Sequence, residues 1–406
     1  MYRPTKKAFS LTLGALLLFG VGANAEAGWL YVMAAAMVGV VIAGLIIPAT
    51  SLRKLTVSRR VPARATAGDD LTVILTIENH SKTARRLIAG NDGFLGANDF
   101  VAPMVAPLSS LELRTNVSSI KRGIFSGAPL TLRSGVPFGI AIASRKFGLT
   151  SELTVHPRWF PIQSFPLLEA ASTPDESWHE RPRRGGGMDF YGLREYRPGD
   201  SVRHIHWRNS AKGGKLLVRE YEEQPSSRLT IIIDNSVSIG GDPANTLEDS
   251  ISIAASLVMY AMQSGHPVQL FAIGAGGDSA HLFEPTRSQA LDWLSSLQIE
   301  SRGDLARLAT EASTQLFRRS TNVLIFPSTG PASASATTAV RLVQRRAARV
   351  IGIVLDASSY DPKNKVGLSR DQLSSSIESL KAAHCIVYPI DKDKGIAQCL
   401  RMPLAV

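Results

Sequence analysis

Two uncharged apolar runs near the start of the chain constrain its fold more than any other feature. Ala8–Ala25 (AFSLTLGALLLFGVGANA) carries no charge over 18 residues, and Gly28–Leu52 (GWLYVMAAAMVGVVIAGLIIPATSL) none over 25. At roughly 1.5 Å per residue, either run as a helix can cross a hydrocarbon layer of about 30 Å. Glu26 lies in the short connection between them, and Trp29 and Tyr31 stand where interfacial aromatics belong. The expectation is a two-helix transmembrane hairpin over residues 1–52, resting in a lipid bilayer. Ala23-Asn24-Ala25 also has the small-x-small form of a signal-peptide cleavage site, so removal of the first run is the alternative.

The formal net charge of +11 invites a polyanionic partner until its location is considered. Arg3, Lys6 and Lys7 precede the first run, and Arg53, Lys54, Arg59, Arg60 and Arg64 follow the second. Basic flanks on both outer ends obey the positive-inside rule for a hairpin whose ends face the cytoplasm. The expected location is therefore a membrane with the soluble domains on its cytoplasmic side. No nucleic-acid partner is expected, because the surplus is spent at the membrane. Two cysteines, Cys385 and Cys399, form neither a disulfide framework nor a metal box.

Residues 53–157 alternate with period two between turn signals. Leu71, Val73, Leu75 and Ile77 share one face of LTVILTIENHS, and LELRTNVSSI, APLTLRSG and ELTVHP follow with Gly- and Pro-containing turns between them. Short strands at this spacing predict a small β-sandwich. Residues 158–190, rich in Pro, Gly and Ser, read as a linker. Neither Gly185-Gly186-Gly187 nor Gly213-Gly214-Lys215 belongs to a GxxxxGK[ST] phosphate loop.

From residue 227 to 406 buried strand runs alternate with helical stripes. The strands are LTIIID (229–234), VQLFAI, VLIF, VIGIVL and CIVYPI. Among the helices, Thr246 with Asp249, Thr286 with Gln289, and Ser369 with Gln372 have capping-box spacing. Alternation of this kind predicts a mostly parallel sheet covered on both faces, with ligands beyond the strand carboxyl ends.

The first of these strands ends in Asp234-Asn235-Ser236-Val237-Ser238, which resembles the metal-ligating Asp-x-Ser-x-Ser loop of von Willebrand factor A domains. That resemblance implies an α/β, Rossmann-like C-terminal domain. It also implies an Mg2+ held by Asp234, Ser236 and Ser238, hard oxygen donors suited to that ion. The family's third ligand, a Thr, has no counterpart near Ser301-Arg302-Gly303-Asp304. Its distant Asp is replaced by Pro327-Ser328-Thr329. Asp304 or Thr329 would have to substitute, so the metal site is degenerate.

Residues 191–226 form a dense polar segment. Gly192 to Asp200 (GLREYRPGD), Val202-Arg203-x-Ile205-x-Trp207, Ser210-Ala211, Lys215-Leu216 and Val218-Arg219-Glu220 resemble the signature of the bacterial domain of unknown function 58 family. At position 206 this chain has His where relatives often have Asp. The signature residues Arg194, Tyr196, Asp200, Arg203, Trp207, Ser210, Lys215, Arg219 and Glu220 are expected to form an interaction brace. Guanidinium–carboxylate pairs would tie it, Trp207 with Ile205 would anchor it, and His204 and His206 would share one strand face. The resemblance implies a non-enzymatic adaptor that works with a MoxR-type AAA+ ATPase. The alternatives are a hydrolase using residues 194–220, although Ser210 lacks a nucleophile-elbow context, and a metal-independent scaffold.

Overall fold

A computed structural model describes residues 2–96, 98–118, 120–163, 165, 190–197, 205–221, 228–241, 244–316, 320–345, 349–361 and 370–401. Most of the expected linker, together with Asp200, Arg203, His204 and Ser369, lies outside the described residues. The chain divides into two compact units. One comprises Met1–Arg158 with Leu294–Ser296, the other Trp159–Trp293 with Leu297–Val406.

The first unit begins with strand β1 (Tyr2–Pro4) and helices α1 (Lys6–Ala25) and α2 (Gly28–Ser51). Both helices are long and apolar enough to cross a membrane. Glu26 adopts a left-handed φ of 50° and reverses the chain between them. Small residues let the helices approach: a Cβ at Gly22 would lie 3.0 Å from Leu30 Cβ, and one at Gly14 would lie 3.1 Å from Met37 Cε. Phe19 and Tyr31 meet edge to face at 5.4 Å.

Strands then follow as β2 (Leu55–Arg60), β3 (Arg64–Thr66), β4 (Leu71–Asn79), β5 (Arg85–Asp92), β6 (Asn98–Val105) and β7 (Ser109–Val117). They continue as β8 (Gly123–Ser126), β9 (Leu130–Ser134), β10 (Ala141–Phe147) and β11 (Glu152–His156). They form sheets ordered β1-β10-β9-β5-β6, β2-β4-β7 and β3-β11-β8. The alternating residues Leu71, Val73, Leu75 and Ile77 are all buried. They share one core with Ile88, Leu130, Leu132 and Ala143 from the five-stranded sheet. Arg59 leaves β2 for the same interior. Its guanidinium pairs with Asp92 of β5, both side chains almost fully buried, and stacks 4.7 Å over Phe94. One of the basic residues assigned from sequence to the membrane flank is thus a core ion pair.

The hairpin is latched onto this unit. β1 runs antiparallel to β10, and Thr5 N–H donates to the Ile140 carbonyl at 2.8 Å. The Tyr2 hydroxyl donates to the Leu45 carbonyl at 2.7 Å. At Gly44, α2 lies so close to the residue preceding β10 that a Cβ would sit 2.6 Å from Ile140 Cδ1. The last turns of α2 therefore lie against protein. The remainder, residues 28–43, spans about 24 Å, close to the roughly 27 Å of residues 8–25. The unequal apolar runs thus reduce to two helices of matched free length.

The second unit opens with β12 (Phe190–Glu195), α3 (Trp207–Gly213) and β13 (Leu217–Tyr221), the two strands pairing antiparallel. It continues with β14 (Arg228–Ile233), α4 (Thr246–Gln263), β15 (Val268–Ile273), β16 (Ser279–Phe283), α5 (Arg287–Ser296) and α6 (Leu305–Ser313). Then come β17 (Ser320–Pro327), α7 (Gly330–Gln344), β18 (Arg349–Leu355), α8 (Ala357–Tyr360), α9 (Arg370–Ala382), β19 (Ile386–Ile390) and α10 (Ile396–Cys399). The sheet order is β16-β15-β14-β17-β18-β19. Neighbours are parallel except β16, which returns antiparallel along β15. Counted by appearance, the six strands run 3-2-1-4-5-6, and the winding direction reverses between β14 and β17.

Helix starts follow the capping chemistry with one shift of register. Thr286 and Gln289 form the anticipated capping box. The α4 cap is Asn245 rather than Thr246: Asn245 Oδ1 accepts from Glu248 N–H at 2.9 Å. Thr246 Oγ1 instead accepts from Ile239 N–H at 2.9 Å, because the loop before α4 folds back on it.

The Gly44 contact yields a quantitative expectation. Leu at this position gains about 1 kcal/mol of helix propensity, yet overpacking against Ile140 costs about 1–3 kcal/mol. Gly44→Leu should therefore lower the thermal stability of the full chain in detergent, and should cost less when made in an Ile140→Ala background. Equal effects of Gly44→Leu with and without Ile140→Ala would show that the contact does not matter.

Candidate functional site

β14 presents the buried run Leu229–Ile233 and stops at Asp234, which is 1% exposed. Its amide donates to the Ile325 carbonyl of β17 at 2.9 Å, so Asp234 stands at the point where the sheet changes winding direction. Asp234 Oδ1 accepts from Ser236 N–H at 3.0 Å and from the Ser236 hydroxyl at 2.6 Å. Its Oδ2 is buried and has no hydrogen-bond partner among the described residues. Burial raises the carboxyl above its ordinary range. The Ser236 hydrogen bonds oppose that rise, and the nearby Asp304 carboxylate adds to it.

Asp304 caps α6 by accepting from Arg307 N–H at 2.7 Å. Across the switch point, the loop after β17 contributes Ser328 and Thr329. Ser328 Oγ accepts from Ala357 N–H at 3.0 Å. Thr329 is buried, and its Oγ1 is also unpartnered among the described residues. Two orphaned hard-oxygen atoms therefore occur at the carboxyl ends of adjacent parallel strands. Leaving a buried polar atom unpaired typically costs about 1–3 kcal/mol, so such atoms call for a ligand or a reason.

The Asp-x-Ser-x-Ser loop is brought together only in part. Asp234 and Ser236 touch, whereas the Ser238 hydroxyl turns to the α4 cap and donates to Asn245 Oδ1 at 3.0 Å. Ser238 is thereby tied to the helix start, although its lone pairs stay chemically competent. Asn235 was not singled out from sequence. It points inward, donating to the carbonyls of Ile273 and Gln298 and accepting from Ile273 N–H, each at 2.8 Å. These bonds fix the loop between β14 and β15. Among the described residues no group of three or more His, Cys, Asp or Glu side chains has metal-holding geometry. Any cation here would rest on one or two carboxylates, hydroxyls and water.

The polar segment 191–226 has a different character from the one expected. Trp207 begins α3 and is 61% exposed. The small core of this region comes instead from Ile205 and Val218, which are bridged to each other. His206 sits at the N-cap of α3, its Nδ1 accepting from Asn209 N–H at 3.3 Å. It is therefore not part of a strand face, since the chain turns helical immediately after it. The Ser210 hydroxyl accepts from Leu217 N–H at 2.8 Å and donates to the His206 carbonyl at 3.0 Å. This ties α3 to β13.

Lys215 pairs with Glu195 at 2.5 Å, and both side chains are well exposed. The carboxylate of Glu195 raises the Lys215 ammonium above its ordinary value. An exposed pair of this kind contributes little to stability. Arg194 Nη1 donates to the Glu195 carbonyl, and the Tyr196 amide donates to the Leu216 carbonyl. Arg219 and Glu220 lie on β13 opposite Leu193 and Gly192. Asp200 and Arg203 fall outside the described residues.

A second carboxylate cluster lies along the same strand ends. Asp356, directly after β18, repeats the Asp234 turn: its Oδ1 accepts from Ser358 N–H at 3.1 Å and from the Ser358 hydroxyl at 2.7 Å. Tyr360 donates to Asp249 Oδ2 at 2.5 Å, and Lys392 Nζ lies 5.5 Å above the Tyr360 ring. Burial raises the Asp249 carboxyl. Burial and the Asp249 charge raise the Tyr360 phenol. The signal for this cluster was present in sequence as a second Asp-x-Ser, Asp356-Ala357-Ser358, at the end of a buried strand.

Comparison with known proteins gives one family match and distant relatives. Residues 192–355 match the family described as "Protein of unknown function DUF58". The "Uncharacterized protein YeaD" of Bacillus subtilis (strain 168) is 22% identical over 165 residues, covering 41% of this chain. That match spans 40% of the Bacillus protein's own length. Among solved structures, a CARDB domain from Pyrococcus furiosus is 9% identical over 25% of this chain and 93% of its own, with a TM-score of 0.18. An exo-β-N-acetylglucosaminidase of the GH20 family from Vibrio harveyi is 9% identical over 76% of this chain and 59% of its own, with a TM-score of 0.19. Scores this low carry no argument about fold or activity.

The Asp249–Tyr360 bond makes a signed prediction. Because the folded carboxyl holds its proton more tightly than the unfolded one, its stability contribution is fullest below the ordinary aspartate pKa. That contribution is lost as pH rises through the folded value. Asp249→Asn should flatten this part of the stability–pH curve, while Tyr360→Phe should cost about 1.5–3 kcal/mol at neutral pH through loss of a charge-assisted hydrogen bond. Thermal unfolding across pH 3–7 checks both; an unchanged curve for Asp249→Asn would count against the assignment.

Proposed function

We propose that the protein is a membrane-anchored, non-enzymatic adaptor whose C-terminal α/β unit, of von Willebrand factor A type, binds a partner at the carboxyl end of its sheet. The observation that carries this reading is the pair of orphaned oxygens, Asp234 Oδ2 and Thr329 Oγ1, at the switch point between β14 and β17. The 3-2-1-4-5-6 strand order and the position of Asp234 after the first strand support the resemblance to von Willebrand factor A domains. The match to the DUF58 model supports the wider family reading.

The residues that would hold an Mg2+ are Asp234, Ser236 and Ser238, with Asp304 and Thr329 as the substitute ligands; the Ser238 hydroxyl also donates to Asn245. When bound, the ion would supply a positive charge and an open coordination position for an acidic side chain of the partner. Burial, and to a smaller degree the Asp304 charge, disfavour the Asp234 carboxylate when no cation is present. The partner suggested by the family resemblance is a MoxR-type AAA+ ATPase.

In this proposal α1 and α2 span the bacterial inner membrane, with both soluble units in the cytoplasm. A reporter fused at Val406 that was active only outside the cytoplasm would overturn the orientation. A hydrolase built on Ser210 is disfavoured because that hydroxyl is engaged by the backbone of Leu217 and His206.

Two measurements test the adaptor reading. Mg2+ at a hundredfold over its dissociation constant should stabilise the wild-type chain by about 2.7 kcal/mol. Asp234→Asn should melt higher than wild type in chelator, because a buried carboxylate is gone, and should not respond to Mg2+. Crosslinked pull-down of the full chain from detergent should recover an ATPase, with roughly tenfold less for Asp234→Ala, as for a truncated interface hot spot. No ATPase in the wild-type sample would refute the adaptor role. A metal-independent scaffold remains the reading if recovery persists but neither Mg2+ nor Asp234 matters.

A further inference from the structure

Where the hairpin is latched to the sheets, the first unit has a cavity of about 400 Å³ lined by Tyr2, Ala49, Leu52, Arg53, Ala143 and Arg145 together with Ser144. We propose that this cavity binds the phosphodiester headgroup of an anionic glycerophospholipid. The inference rests on α1 and α2 being membrane spans.

Three features carry it. The first is position. Ala49, Leu52 and Arg53 belong to the last turn of α2 and the residues just after it, while Tyr2 precedes α1. The cavity therefore lies just beyond the free spans, at the end of the hairpin to which both helices return and beside the membrane surface. The second is charge. The lining holds two guanidinium groups and no carboxylate. Arg53 is exposed, with no side-chain partner among the described residues. Arg145 stacks 4.7 Å over Phe147, and its Nη1 donates to the Leu52 carbonyl at 3.2 Å.

Those contacts hold the Arg145 plane in place while Nε and Nη2 have no partner among the described residues. A fixed guanidinium edge suits two phosphate oxygens. The third feature is the mixed wall. Ala49, Leu52 and Ala143 offer apolar surface beside the cations, as a glycerol backbone and the first acyl carbons require. Basic pockets beside transmembrane helices bind lipid headgroups by this combination.

The test uses the full chain purified in a non-ionic detergent and native mass spectrometry with added lipid. Phosphatidylglycerol should remain bound as a single copy under conditions that strip phosphatidylcholine. Arg53→Gln should weaken retention about fivefold, the effect of about 1 kcal/mol per basic residue near an anionic lipid surface. Ala49→Trp, an exposed helix position at the cavity mouth, should weaken it without changing the far-ultraviolet circular dichroism. Arg60→Gln, an exposed basic residue that does not line the cavity, should retain wild-type binding.

Equal losses for Arg53→Gln and Arg60→Gln would overturn a defined site in favour of diffuse attraction. Displacement of phosphatidylglycerol by equimolar inorganic phosphate or glycerol 3-phosphate would overturn the lipid assignment. Sodium carbonate extraction separates the underlying premise from the site itself. Release of the chain from membranes would remove both, whereas a chain that stays in the membrane fraction with no preference for phosphatidylglycerol would remove the headgroup site alone.

Discussion

A helical hairpin returns both of its ends to the same side, and the first unit is built around that constraint. Once α1 and α2 pair, Tyr2–Pro4 and Leu52–Leu55 emerge close together, and β10 takes hold of both. β1 adds to its edge, Thr5 binds the carbonyls of Gly139 and Ile140, and Gly44 removes the side chain that would hold α2 away. Flexible attachment would have needed none of this. The consequence is a rigid passage from apolar helices to sheet, in which the last turns of α2 lie against protein. The helix end is completed by Arg145, whose guanidinium donates to the carbonyls of Leu52 and Leu55, a cation where the helix dipole favours one.

The second unit meets a different constraint. A strand buried on both faces, such as β14, must end in groups that can be paired or solvated. Its end is settled by Asp234, Asn235 and Ser236, of which Asn235 satisfies every backbone group it faces and Ser236 satisfies one oxygen of Asp234. The other oxygen is left over. Asp356 solves the same problem after β18 with the same turn, and none of its side-chain atoms is among the buried orphans. Two chemically equivalent turns thus leave different residues behind: an orphaned carboxylate oxygen at Asp234 and none at Asp356 among the described residues.

Legibility in the sequence followed physical locality. The period-two burial of β4 and the buried runs of the parallel strands were readable because they depend on one segment and one face. The Thr286–Gln289 cap was readable for the same reason. β1 was not, since three residues pair only because β10 is present. β16 was missed because an exposed edge strand has little apolar pattern. Arg59 was misassigned: a basic residue after an apolar run looks like a membrane flank until Asp92, 33 positions later, appears beside it. Trp207 was misjudged through its size: it starts a short helix and is largely exposed among the described residues. Within the candidate site, Asp234 was legible from its place after the first strand. Thr329 was weighed only as a substitute ligand, and Asn245 and Asn235 were not legible, as their partners lie across loops.

The basic surplus shows why net charge alone misleads. Arg59 is internal and neutralised by Asp92, Arg145 is committed to backbone carbonyls at the end of α2, and Arg53 faces outward beside it. Three arginines within one unit therefore serve a core, a helix end and a surface. Arg53 and Arg145 both keep an uncancelled charge at the hairpin's end, whereas the charge of Arg59 is neutralised within the core. Here the geometry of the fold, more than the count of charges, decides which arginines are open to an anion at all.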